Sequence, residues 1–125
     1  MHKITLITGL SNSGKTTYSQ QYENVIHLDS GINIDALPTD RDIVIEGVFN
    51  TKRVRERILS QLEGKDFNKT CIWIDAPLEV CLRRNKERHQ FPDTVIFTQA
   101  NFFQEPTEDE GWDEVIRITD YNPEN

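Results

Sequence analysis

Cysteine is scarce in this 125-residue chain: Cys71 and Cys81 are its only two, ten positions apart. That spacing fits neither a zinc site nor a Cys-x-x-Cys redox pair, so disulfide frameworks, zinc ribbons and dithiol chemistry drop out, and the two read as buried, reduced thiols. No apolar run reaches the roughly 18 residues that a membrane-spanning helix needs. The chain enters a strand pattern almost at once, so no signal peptide is expected and the cytoplasm is the expected compartment. His2, His27 and His89 have no acidic or thiol neighbours at ligand or triad spacing. Repeats and low-complexity tracts are missing too. So is any surplus of positive charge: the net charge is −7. Residues 1–100 balance at 13 basic and 13 acidic side chains, and residues 101–125, with one Arg and eight acids, supply the whole imbalance. That last stretch reads as a solvated acidic tail, and tight non-specific binding along DNA is not expected.

What is there, immediately after the apolar run Ile4-Thr5-Leu6-Ile7, is Gly9-Leu10-Ser11-Asn12-Ser13-Gly14-Lys15-Thr16. It is a complete G-x-x-x-x-G-K-[ST] match, the phosphate-binding loop of nucleoside triphosphatases. Gly9 and Gly14 let the backbone curl around an anion, with the N–H groups of Ser11, Asn12, Ser13, Gly14, Lys15, Thr16 and Thr17 available to it. The helix starting near Gly14 adds its positive end. Lys15 would reach the β- and γ-phosphate oxygens and the Thr16 hydroxyl would take one position on Mg²⁺. The implied cofactors are ATP, or another nucleoside triphosphate, and Mg²⁺.

Strand and helix signals alternate along the chain. Strands are expected at Ile4–Thr8, Val25–Leu28, Ile43–Ile45, Thr70–Ile74 and Val115–Ile118, and helices at Lys15–Tyr22, from Asn50 or Thr51 to Leu62, at Leu78–Arg88 and from Asp93 to Phe103. Residues 30–41 read as a loop. Buried, Val/Ile-rich strands alternating with helices argue an α/β fold, a parallel sheet flanked by helices. The length allows one domain, residues 1–125. Ligands in such folds lie beyond the carboxyl ends of the strands, which selects the residues to weigh next.

Asp29 follows the second strand at the rim where a γ-phosphate would point. A carboxylate there can orient an attacking hydroxyl as a general base; a loop Asp can also simply close a turn. Glu46 ends the third strand and suits Mg²⁺ held through water, or a rim ion pair with Arg53 or Arg57. Arg83, Arg84, Lys86 and Arg88 crowd one helix end, with His89-Gln90-Phe91-Pro92 after them. Arg84 and Arg88, four apart, share a face and suit a lid over about residues 84–93 that neutralises charge on a moving phosphoryl group. The alternative is cations at a helix C-terminus, and Arg83 reads as a surface charge. Asp120, after the last strand, lies where topology would rest a nucleotide base.

Taken together, the loop motif, Asp29, Val44-Ile45-Glu46-Gly47-Val48-Phe49 followed by Arg53 or Arg55, Cys81-Leu82 with Arg84-Asn85 and Arg88, and Pro106 with Glu110-Gly111-Trp112 resemble the polynucleotide-kinase-like P-loop kinases. Chloramphenicol phosphotransferases, zeta toxins and gluconate kinases are relatives of that group. The resemblance implies a three-layer P-loop NTPase fold with a sheet ordered 2-3-1-4-5, and transfer of the ATP γ-phosphate to a hydroxyl. It also implies Asp29 as base, with Arg84 and Arg88 as lid arginines. Only about a dozen residues separate the second and third strands, where many relatives place helices that enclose the acceptor. A shallow acceptor side suits a large substrate, a nucleotide or polynucleotide hydroxyl, and base-modifying phage kinases acting on hydroxymethyl groups in DNA are similar in design. The compartment would then be the host cytoplasm if the source is viral. A metabolite, sugar or antibiotic acceptor in a monomer or a homodimer-completed pocket is the second reading, and a nucleotide-dependent switch or ATPase the third.

Overall fold

The computed structural model describes residues 1–27 and 38–119. Asp29, Leu28 and Asp120 lie outside these residues. β1 (His2–Thr8) leads through the glycine turn into α1 (Lys15–Ser19), followed by β2 (Val25–His27), β3 (Ile43–Glu46), α2 (Lys52–Leu62), β4 (Phe67–Ile74), α3 (Leu78–Arg88), α4 (Asp93–Asn101), a 3₁₀ turn at Glu108–Glu110 and β5 (Glu114–Ile118). The five strands form one sheet in the order β2-β3-β1-β4-β5, every neighbouring pair parallel. This is the expected three-layer arrangement of a P-loop NTPase.

Alternation along the central strands sends side chains to two faces, and both are apolar. Ile4, Leu6, Ile43, Ile45 and Cys71 meet Ile58, Leu59, Leu62 and Trp112 on one side. Ile7, Val44, Ile72 and Ile74 gather on the other, with Tyr18, Tyr22, Ile116 and Ile118 against them. Both cysteines are free and buried, and burial pushes the Cys71 thiol up to about 12.

Several boundaries differ from the sequence pattern, each for a physical reason. α1 ends at Ser19 rather than Tyr22, because the chain tightens into three-residue turns: Gln20 N–H donates to Thr17 O and Tyr22 N–H to Ser19 O. Asn24 then adopts a left-handed φ of 57°. β4 begins at Phe67, three residues early, since Phe67, Asn68 and Lys69 pair with His2, Lys3 and Ile4 of β1 whatever their own preference. α4 stops at Asn101, short of Phe103. Thr51 caps α2, its hydroxyl accepting from Val54 N–H.

The acidic segment is not simply a solvated tail. Glu110 is buried, 2% exposed, against Arg55, whose guanidinium is fully covered. Arg55 Nε donates to Glu110 Oε1 at 2.8 Å and Nη2 to Oε2 at 3.1 Å, while Nη1 and Nη2 also reach Phe49 O and Gln104 O. Thr107 N–H and Trp112 Nε1–H donate to the same carboxylate. Every lone pair that burial would strand is thereby used. Glu110→Ala should lower stability by about 3–5 kcal/mol, because a buried guanidinium loses its counter-charge. In urea unfolding, the Arg55→Met/Glu110→Leu pair should lose less than that single change.

Candidate active site

Two backbone positions shape the turn after β1. A Cβ on Gly9 would sit 2.7 Å from the Ile74 carbonyl oxygen and 2.8 Å from Ser13 Oγ, so only glycine lets β1 leave the sheet this close to β4. Gly14 takes φ 107° as it enters α1, a left-handed geometry open to glycine. The partner edge of the turn is equally tied down. Gly47 N–H donates to Ile7 O, and Thr8 Oγ1 donates to the carbonyls of Val48 and Phe49. Phe49 itself holds a left-handed φ of 38°, its carbonyl gripped by Thr8 and Arg55 together.

Inside the turn lies a buried cation. Lys15 is 7% exposed, and its Nζ donates to Gly9 O at 2.9 Å and Leu10 O at 2.7 Å. Burial lowers its pKa to about 8, partly offset by the Glu46 carboxylate. Carbonyl dipoles solvate an ammonium less well than water does, so an incoming phosphate would gain what this site lacks. Thr16 Oγ1 donates to Glu46 Oε1 at 3.1 Å. A hydroxyl and a carboxylate are hard oxygen donors of the kind Mg²⁺ takes together with phosphate oxygens and waters. Among the described residues no three His, Cys, Asp or Glu side chains gather to hold a metal alone. Thr16 and Glu46 are the two oxygen donors here that could hold a Mg²⁺ ion alongside other ligands. Glu46 pairs with Thr16 rather than serving only as a partner for Arg53 or Arg57.

Arg84 and Arg88 both reach the loop. Arg84, 3% exposed, donates from Nη1 to Asn12 O at 3.0 Å, and Arg88 Nη1 donates to Asn12 Oδ1 at 2.8 Å. Asn12 holds a left-handed φ of 66°, and its side-chain Nδ2 is buried with no hydrogen-bond acceptor among the described residues. Arg83 faces outward toward Glu87 at 4.0 Å. The glycine loop, Thr16, Thr17, Glu46, Gly47, Val48 and Arg88 border a common cavity of about 340 Å³, together with Gln90 and Phe91. The sequence-selected residues Ser11, Asn12, Gly14, Lys15, Thr16, Thr17, Glu46 and Arg88 thus converge. Ser13 is fully buried under the loop, and Asp29 and Asp120 fall outside the described residues.

One contact had no signature in the sequence. Gln99 of α4 accepts from Ser11 N–H through Oε1 and donates from Nε2 to Ser11 Oγ, both at 2.9 Å, while its own carbonyl accepts from Asn50. A polar residue midway along a helix carries no mark of what lies 88 positions away. Asp75 and Trp73 also take on structure: Arg117 donates to Asp75 and lies 4.6 Å above the Trp73 ring, which stacks on Phe103 at 5.1 Å.

Comparison with solved structures places this geometry among known folds. Kti12 of Chaetomium thermophilum, solved with ADP-AlF3, superposes with a TM-score of 0.72 at 13% identity, over 93% of this chain and 88% of that one. A gluconokinase from Sinorhizobium meliloti 1021 superposes with a TM-score of 0.61 at 17% identity, over 98% and 85%. No family model and no curated protein matches the sequence. At such identities the likeness is one of fold, that of the P-loop NTPases and kinases. No helix among the described residues is long and apolar enough to cross a membrane.

Gln99→Leu should free Ser11 N–H and Oγ together. An ATP titration followed by fluorescence of a labelled analogue should show affinity lowered about tenfold, with stability reduced by about 1–2 kcal/mol.

Proposed function

We propose that the protein is an ATP- and Mg²⁺-dependent phosphotransferase that moves the γ-phosphate to a hydroxyl. The observation that carries this reading is the convergence of Lys15, Arg84 and Arg88 on one glycine turn, beside the Thr16–Glu46 oxygen pair. A switch needs only nucleotide binding. Two arginines drawn from a helix far along the chain add what phosphoryl transfer asks for: positive charge that can follow the moving group.

The roles follow from position. The loop amides, with Lys15, hold the β- and γ-phosphates. Thr16 and Glu46 would hold Mg²⁺, which supplies charge neutralisation on the phosphate oxygens. Arg84 and Arg88 release Asn12 and turn to the transferring group, acting as a lid over residues 84–93. Asp29, just beyond β2, is the base that orients the acceptor hydroxyl, and Asp120, beyond β5, borders the nucleotide base. Neither of these two belongs to the described residues, so their roles rest on chain order and on resemblance to the polynucleotide-kinase-like group.

The acceptor is a nucleotide or polynucleotide hydroxyl, the 5′-hydroxyl or a hydroxymethylated base in DNA. The small number of residues between the second and third strands supports this choice, because a pocket that covers most of a small metabolite usually takes more chain. The gluconokinase likeness favours a small-molecule acceptor as the second reading.

The test is labelled ATP with Mg²⁺ offered to DNA, RNA, nucleosides and small alcohols. Asp29→Asn should lower transfer by about 10²–10⁴-fold while ATP affinity stays within a few-fold. Transfer surviving the change at wild-type rate sinks Asp29 as base, and labelling confined to polyols moves the acceptor to the second reading. Nucleotide binding with no labelled acceptor at all leaves only a switch.

A further inference from the structure

The cavity beside the glycine loop meets some strand ends and not others among the described residues. Its border includes Glu46, Gly47 and Val48 at the end of β3, and neither Asp75 nor Ile118, at the ends of β4 and β5, is part of it. β3 and β4 flank β1 on opposite sides. Among the described residues, then, the cavity meets the sheet at the end of β3, the side from which an acceptor would approach, and not at the ends of β4 and β5.

Gln90 and Phe91 border the same cavity. They stand in the α3–α4 turn, which is built rather than slack. His89 ends α3 in a left-handed conformation at φ 50°. Asn85, 1% exposed, donates from Nδ2 to Phe91 O at 2.8 Å and to Asp93 Oδ1 at 3.2 Å, tying α3 to the far end of the turn and the start of α4. Arg88, on the same turn, is fixed to the phosphate loop through Asn12. The result holds a half-buried phenylalanine, an exposed side-chain amide and a guanidinium on one rim at a set distance from the loop.

These three groups are matched to one kind of molecule. An aromatic ring stacks on any planar heterocycle, a primary amide presents one donor and one acceptor to the polar edge of a base, and a guanidinium suits a phosphate. A polyol or an aliphatic alcohol, with no planar π-system, would gain less from the ring face. We infer that Phe91 and Gln90 form an acceptor subsite for a nucleobase, Phe91 by stacking and Gln90 by hydrogen bonding to the base edge, so that the acceptor hydroxyl faces the loop. This inference rests on the phosphotransferase reading and names the specificity determinants of the same site.

The test uses equilibrium binding, so that it does not depend on turnover. The protein is loaded with a non-hydrolysable ATP analogue and Mg²⁺, and a free nucleoside, a fluorescein-labelled single-stranded oligonucleotide and gluconate are titrated separately. Phe91→Ala should weaken binding of the base-bearing ligands about tenfold or more, the scale of one base–aromatic stack, and Phe91→Tyr should restore it. Gln90→Ala should lower discrimination among bases more than total affinity. Affinity for the ATP analogue itself should stay within twofold in all three variants. The nucleoside and oligonucleotide arms separate a monomeric from a polymeric source of the base.

Equal binding by wild type and Phe91→Ala, no binding of either base-bearing ligand, or a parallel loss of ATP affinity would overturn the inference. The last result would assign the ring to the donor's own base. Failure of the underlying reading is seen elsewhere, as absence of label on every acceptor by a wild-type protein that binds ATP.

Discussion

A buried ammonium governs this molecule. Lys15 lies inside a turn whose nearest partners are two carbonyl oxygens, and burial has already lowered its pKa to about 8. That environment holds the charge without satisfying it. It exists because β1 leaves the sheet beside β4 with no room for a Cβ at Gly9, so the chain must turn tightly and carry its lysine beneath itself. The arginines, the hydroxyl–carboxylate pair and the cavity are all arranged around this one buried ammonium.

The turn is held from three sides by segments distant in sequence. α3 contributes Arg84 and Arg88, both spent on Asn12. α4 contributes Gln99, which answers the amide and hydroxyl of Ser11. The residues after β3 are themselves secured by Thr8 and Arg55. These bonds leave the loop shaped for an anion before one arrives, which reduces the ordering cost of binding. They also tie Arg84 and Arg88 to the loop through Asn12.

Arg55 and Glu110 perform a different task. They lie 55 residues apart, and neither belongs to the phosphate site. By fixing Phe49 and Gln104 at once, the Arg55 guanidinium joins the start of α2 to the segment after α4. The acidic character of the last quarter of the chain thus has a structural component: one of its carboxylates neutralises a buried cation, and Asp113 Oδ2 accepts from Lys69 N–H at the start of the β4–β5 pairing.

Much was legible from local pattern. The glycine spacing announced the loop, Val/Ile runs announced parallel strands, and Leu78–Arg88 has the bounds its pattern suggested. Each depends on interactions within a few residues, where residue type and order are sufficient. The early start of β4, the short α1, the buried Glu110 and the Gln99–Ser11 pairing were not legible. All but the short α1, which two local three-residue turns end, are decided by a partner 40 or more residues away. By itself, the order of residues determined a phosphate-binding turn on a parallel α/β sheet, because backbone freedom at two glycines and apolar alternation are local properties. Only the tertiary structure decided which polar side chains share that turn, because burial and hydrogen-bond partnership exist only once distant segments have packed.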